Sequence, residues 1–122
     1  MKVLLAAALT VVSATFVAAG DSGAKTFKGV ITDSQCATNV HSVSHSHKEM
    51  LAQGTMGKTE ADCVRTCVEQ WGGEYVLLTR DNRVWHLSDQ KAAAKLAARS
   101  VTVTGYPSAD DKTIQMTSIS VK

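Results

Sequence analysis

The sequence predicts one small domain that is mainly β with a few helices. Short strand-like segments recur at even spacing, a helical segment separates the third from the fourth, and a long break follows the first. Apart from that break the order is β-β-β-α-β-β, which is the order of a five-stranded OB-like barrel. A two-layer α+β sheet and a small open meander are the alternatives, and the short, evenly spaced strands favour the barrel. A chain of 122 residues is too short for two domains with separate cores.

The first 19 residues have the pattern of an export signal. Lys2 is followed by an apolar run rich in alanine, valine and leucine, which ends in small residues at Ala19 and gives way to a polar stretch. The run is short for a membrane span. We therefore expect residues 1–19 to be removed as a signal peptide, leaving a flexible N-terminus over 20–25 and a single domain over 26–122. The mature protein would be periplasmic or secreted, with no stable membrane anchor.

The charge of the chain bears on its partners. It has 13 Lys and Arg against 11 Asp and Glu, with a formal net charge of +2. This small excess gives no electrostatic reason to expect nucleic acid as a ligand. We therefore expect a partner, if there is one, in the cell envelope or outside the cell.

The five strands are predicted from alternating side chains and β-forming residues. They cover residues 26–33, 74–79, 83–87, 100–105 and 113–119. Asp81 and Asn82 tolerate the backbone of the hairpin turn between the second and third strands. Tyr75 and Trp85 are expected in the core because they are the largest apolar side chains of these strands. His86 follows Trp85 and points to the opposite face, so we expect it on the surface.

The main helix is predicted over residues 60–71. Thr59 and Asp62 can cap its N-terminus, and Gly72 can end it. Its apolar side chains form one stripe that we expect to pack against the barrel, and they are Cys63, Val64, Cys67, Val68 and Trp71.

Two further helices are predicted, one on each side of the second and third strands. Ser88 and Asp89 can begin an alanine-rich helix over residues 90–98. Residues 34–58 form a long loop with a short helix over 48–51. Long loops in small domains are usually functional or mobile, so the functional site is expected there.

Three cysteines are the sharpest chemical feature of the sequence. Cys63 and Cys67 are one helical turn apart, so their sulfur atoms point in the same direction. Cys36 follows the first strand, and the loop can fold back and bring it to the pair. Three thiolates and one imidazole make a tetrahedral site for zinc or Cu(I).

The long loop supplies three histidines as the fourth ligand. His41, five residues after Cys36, is the simplest choice, and His45 and His47 are alternates. Their spacing suits chelation of a metal by a loop, but a polar loop rich in histidine is also typical of a solvated surface.

Two other roles for the cysteines stay open. Cys36 can form a disulfide with Cys63 or Cys67, with one thiol left over. A bond from Cys36 to Cys63 closes roughly 27 residues and stabilises the fold by ~3 kcal/mol. The two helix cysteines are poorly placed for a bond with each other. A thiol redox protein would need an exposed cysteine of low pKa, and C-x-x-x-C is not the C-x-x-C of thiol oxidoreductases.

The cysteine pattern resembles that of a family of small secreted bacterial proteins with a D-S-x-C segment, a C-x-x-x-C helix and OB-like strands. The matching segments are 29–36, 59–68, 75–77 and 101–105. The resemblance extends over about residues 26–119 and implies a fold and a cysteine cluster, but no activity. Ala98 and its neighbours depart from it, because a turn containing glycine is expected there.

These observations favour binding over catalysis. The sequence contains no phosphate-binding or dinucleotide motif and no Gly-Ser nucleophile turn. We expect an exported binding protein that holds zinc or copper at Cys36, Cys63, Cys67 and one loop histidine. The alternative is an envelope interaction module whose cysteines only form a disulfide, and a thiol redox protein is the third possibility.

Overall fold

The computed structural model describes residues 23–38 and 43–122. The predicted signal peptide and His41 lie outside these residues. The elements, in chain order, are β1 (Lys25–Asp33), α1 (Ser34–Ala37), α2 (Val43–Ala52), α3 (Glu60–Trp71), β2 (Tyr75–Thr79), β3 (Val84–Leu87), α4 (Gln90–Ala94), β4 (Ser100–Pro107) and β5 (Thr113–Val121).

The five strands form a closed barrel in the order β1-β2-β3-β5-β4. β1 pairs with β2 and with β4, both antiparallel, and β4 pairs with β5 across an irregularity between Thr104 and Gly105. A short parallel pairing of β3 with β5 completes the closure. This arrangement is that of an OB-like barrel, so the predicted fold class is confirmed.

The inside of the barrel is an aliphatic and aromatic core. The strands supply most of it through side chains that alternate between the two faces, and α3 and α4 add a few residues. The buried members are Ile31, Val64, Tyr75, Leu77, Trp85, Leu87, Ala93, Ala97, Val101, Val103 and Ile114. None of these eleven buried residues contains sulfur.

The two tryptophans lie in opposite environments. Trp85 is 4% exposed, and its ring meets that of Phe27 edge-on at 5.0 Å between centroids. The guanidinium of Arg83 lies 4.3 Å from the centre of the Trp85 ring. Trp71 is 65% exposed, so the prediction that it packs against the barrel is wrong. Trp71 is the last residue of α3. The apolar stripe of a helix gives the direction in which a side chain points, but it does not show how far along the helix the barrel covers that stripe.

The boundaries of α4 differ from the prediction. The helix ends at Ala94 rather than at residue 98, and a turn follows in which Leu96 N–H donates to Ala93 and Arg99 N–H donates to Leu96. Ala98 has a positive φ of 62° and donates its N–H to the Ile31 carbonyl. This contact with β1 outweighs the helix propensity of an alanine-rich segment, which is small for each residue.

The segment between β1 and β2 is more helical than predicted. α1 follows β1 directly, and α2 is ten residues long where a helix over residues 48–51 was predicted. The predicted cap of α3 is confirmed, because Thr59 and Asp62 each accept a backbone N–H of the other. Gly57 turns the chain into this cap with φ +90°, and a Cβ there would lie 2.4 Å from the Cβ of Asp62. Within the described residues, no helix is long and apolar enough to cross a membrane.

Candidate metal site

The site begins at the last residue of β1. Asp33 is fully buried, and its Oδ1 accepts the backbone N–H groups of Gln35 at 3.1 Å and Cys36 at 2.9 Å. Asp33 is therefore the N-cap of α1, as a short acidic side chain before a helix often is. Its second oxygen, Oδ2, is buried and has no hydrogen-bond partner among the described residues.

Hydrogen bonds to the segment between α3 and β2 hold α1 in place. Ser34 N–H donates to the Glu74 carbonyl, and Ser34 Oγ accepts the Glu74 N–H at 3.1 Å. Gln35 Nε2 donates to the Trp71 carbonyl at 3.1 Å. These bonds fix the single turn that carries Cys36, whose side chain is 6% exposed.

His47 reaches the same place from α2. It is 1% exposed, and neither of its ring nitrogens has a hydrogen-bond partner in the described structure. Nε2 lies 3.7 Å from Asp33 Oδ2, which is too long for a hydrogen bond. A buried imidazole without partners is costly, so it calls for an explanation.

The geometry is compatible with a bound metal ion. The ligand atoms of Asp33, Cys36 and His47 all lie within 4.8 Å of one another, and all three residues are buried. Two donors that bind one zinc ion at ~2.1 Å in a tetrahedral arrangement lie ~3.4 Å apart. The 3.7 Å between Asp33 and His47 is close to that spacing. The three atoms are therefore close enough together to hold one metal ion.

A carboxylate of α3 lies behind the histidine. Glu60 Oε2 is 3.7 Å from His47 Nδ1, and the Glu60 side chain is half exposed. Histidines that bind metals commonly direct their second nitrogen at a carboxylate, which fixes the ring orientation. Glu60 is in the right place for that role.

Cys63 and Cys67 lie next to this set on the inner side of α3. They are 0% and 3% exposed. The Cys67 thiol is within hydrogen-bonding range of both the Cys36 and Cys63 thiols. The prediction that Cys36 approaches the helix pair is therefore confirmed. Cys67 is thus a further sulfur donor next to Cys36.

The surroundings raise the pKa of the three thiols and lower that of the Asp33 carboxyl. Burial, and then the negative charge of Asp33, raise the pKa of Cys63 and raise that of Cys67 to about 12. The same two causes raise the pKa of Cys36. Burial opposes ionisation of Asp33, but His47 and the Cys36 backbone N–H outweigh it and hold its pKa below the usual value. Metal-free thiols of this kind are inert at neutral pH, which argues against a reactive redox cysteine.

The cysteines are free thiols in the structure. The predicted alternative, a disulfide from Cys36 to Cys63 or Cys67, is therefore not present. Sulfur atoms in hydrogen-bonding range are farther apart than the ~2.05 Å of a disulfide bond. The close approach of Cys36 and Cys67 brings the thiols together without joining them.

The structure brings together some of the predicted ligands and leaves others aside. Cys36 and His47 belong to the tight set, and Cys63 and Cys67 flank it. His41 lies outside the described residues, and His45 lies in α2 with a side chain that is not described. His86 is on the surface as predicted, with Nδ1 at 2.8 Å from Glu74 Oε2.

Asp33 is a candidate ligand that the sequence analysis does not include. Its Oδ1 caps α1. The available indication was its position, three residues before a cysteine at the end of an apolar strand. A carboxylate placed there has one oxygen for the cap and one left for another partner.

No known protein family matches the chain, and no curated protein or solved structure is detectably similar to it.

The raised thiol pKa values predict that the metal-free protein loses stability at alkaline pH. Unfolded cysteines ionise near pH 8.5, whereas the folded thiols stay protonated, so unfolding is favoured as the pH rises from there towards the folded pKa values. Each thiol contributes about 1.4 kcal/mol per pH unit in this range. Urea unfolding in chelator and reductant at pH 7, 9 and 10 should show a steeper loss for the wild type than for Cys67→Ala. Parallel losses would contradict the burial of this thiol.

Proposed function

We propose that this protein is an exported, small metal-binding protein that holds a zinc ion at Asp33, Cys36 and His47. The observation that carries the proposal is the fully buried histidine whose two nitrogens have no hydrogen-bond partner beside a carboxylate oxygen that also lacks one. Five of the six such buried atoms in the described residues belong to Thr32, Asp33, Ser46 and His47. Three of the six belong to Asp33 and His47, whose unpartnered Oδ2 and Nε2 atoms lie 3.7 Å apart.

The donor types favour zinc over other common metals. One carboxylate oxygen, one thiolate and one imidazole form a mixed set, and zinc accepts all three in a tetrahedral arrangement. Calcium and magnesium require oxygen ligands, and Cu(I) prefers sulfur. Cys67, whose thiol is within range of that of Cys36, supplies the fourth ligand.

The burial of the ligands supports a site that holds the ion rather than one that presents it to a substrate. Asp33, Cys36 and His47 are 0%, 6% and 1% exposed. Catalytic zinc sites keep one position open to water or substrate, whereas closed four-ligand sites serve structure or storage. The function is therefore assigned as metal binding.

The ligands come from three different elements, so the ion also links parts of the fold. Asp33 ends β1, Cys36 lies in α1 and His47 lies in α2. The only buried residues of α2 whose side chains are described are the polar Ser46 and His47. Zinc binding should therefore stabilise the packing of α2, because the free energy of binding is coupled to folding.

Export is the part of the proposal that the N-terminal sequence supports. The apolar run after Lys2 and the small residues at Ala19 direct the chain out of the cytoplasm. Native mass spectrometry of protein from the exported fraction tests both parts at once. Its mass should correspond to a chain beginning at Gly20 with one zinc ion bound.

The direct test is a zinc titration of the reduced, chelator-stripped protein in competition with a chromophoric chelator. The wild type should bind one zinc ion, and His47→Ala should weaken binding by at least about tenfold, the lower end of the cost of losing even an outer partner. Cobalt(II) in place of zinc should give the visible bands of a tetrahedral site and a sulfur-to-metal charge-transfer band.

His86→Ala is the matched control, because the His86 side chain is exposed and pairs with Glu74 rather than with a residue of the cluster. It should bind zinc like the wild type. A wild-type protein that takes up no zinc at micromolar concentration would exclude the proposal. Equal zinc affinities for His47→Ala and His86→Ala would show that His47 is not a ligand.

A further inference from the structure

Within the described residues, every sulfur-containing side chain except that of Met116 lies apart from the main core. Eleven buried residues fill the barrel, and none of them contains sulfur. A second, smaller cluster consists of buried Met56, Cys63 and Cys67, with Met50 and Leu51 packed against it. Four of these five side chains carry a sulfur atom.

The three central side chains of the second cluster are buried. Met56 is 2% exposed, Cys63 is 0% and Cys67 is 3%. The Cys63 and Cys67 thiols are in hydrogen-bonding range of each other, one helical turn apart on the inner side of α3. Met56 lies in the loop before α3 and covers them.

The composition of this cluster points to a ligand rather than to packing alone. The buried core of the barrel consists of aliphatic and aromatic side chains without sulfur. Cysteine and methionine differ from those residues in their soft, polarisable sulfur. Thiolate and thioether ligands together select Cu(I) over harder divalent ions.

We propose that Cys63, Cys67 and Met56 form a second metal site, specific for Cu(I) and adjacent to the zinc site. The ion would bind two thiolates and one thioether, and both thiol protons leave when it binds. Cys67 is within range of Cys36 on one side and Cys63 on the other, so its thiolate borders both sites. Cys63 and Met56 belong to the copper site alone, and Asp33 and His47 to the zinc site alone.

The test is an anaerobic titration of the reduced, metal-free full chain with Cu(I), in competition with bicinchoninate. The wild type should bind one Cu(I). Cys63→Ala and Met56→Leu should each weaken Cu(I) binding by at least about tenfold, since even an outer-shell partner is worth that much to a metal site. His47→Ala should bind Cu(I) like the wild type, and Cys67→Ser should lose affinity for both metals.

Met116→Leu is the matched control, because Met116 packs against the sulfur-free core and its replacement keeps the volume. It should leave Cu(I) binding unchanged, and zinc binding by Met56→Leu should show that this variant folds. Equal Cu(I) affinities for Met56→Leu and Met116→Leu would overturn the assignment. So would a wild type that takes up no Cu(I) at micromolar concentration, or loss of Cu(I) binding in His47→Ala. The copper titration needs no zinc, so failure of the zinc proposal would be seen separately.

Discussion

Replacing Trp85 by alanine should lower the free energy of unfolding by about 3 to 5 kcal/mol. The Trp85 side chain is 4% exposed inside the barrel, where it contacts the Phe27 ring and lies under the Arg83 guanidinium. Its removal creates a cavity among strands that form a closed barrel and cannot collapse easily. Urea unfolding followed by circular dichroism measures the loss.

Trp71→Ala is the natural control, because Trp71 is 65% exposed at the end of α3. It should change the free energy of unfolding by no more than about 0.5 kcal/mol, as expected for an exposed residue. Fluorescence separates the two sites further, since Trp71→Ala should leave the blue-shifted emission of Trp85. A loss of several kcal/mol in Trp71→Ala would show that this tryptophan is packed after all.

Asp33→Ala should be the most damaging change at the metal site. It leaves the Gln35 and Cys36 N–H groups without the acceptor that caps α1, which costs about 1 to 3 kcal/mol for a buried unmet donor. It also removes a ligand of the proposed zinc site. Zinc at 100 times its dissociation constant stabilises a folded protein by about 2.7 kcal/mol, and the variant should lose that stabilisation too.

Asp33→Asn separates the two roles of this residue. An asparagine oxygen can still accept the two N–H groups and cap α1, but the side chain has lost its negative charge and is a poor zinc ligand. The metal-free variant should therefore melt close to the wild type, and added zinc should raise its melting temperature much less. The same zinc-dependent rise in Asp33→Asn and in the wild type would exclude Asp33 as a ligand.

The fold was largely predictable because its elements are encoded locally. Alternating side chains identified all five strands, and the Thr59 and Asp62 cap placed the start of α3. The errors fall where local preference competes with packing. Alanine-rich residues 95–98 leave the helix to place Ala98 against Ile31, and Trp71 continues a stripe beyond the part of α3 that is covered.

The types of residue in the site were predictable from the sequence, but only some of the particular residues were. Spacing along α3 correctly indicated that Cys63 and Cys67 face one side, and Cys36 does approach them. The choice of histidine depends on how residues 39–58 fold, and no pattern in the sequence indicated that α2 would bury His47. The role of Asp33 required knowing that its second oxygen faces another element.

The sequence by itself determined the order of the strands along the chain, the capped helix and the two cysteines on one side of that helix, because each depends on residues near one another in the chain. Only the tertiary structure decided which donors meet. Asp33, Cys36 and His47 come from β1, α1 and α2, and their ligand atoms lie within 4.8 Å of one another because α2 packs against α1 and α3. Distances between separate elements are set by packing of the whole domain, which local preferences do not specify.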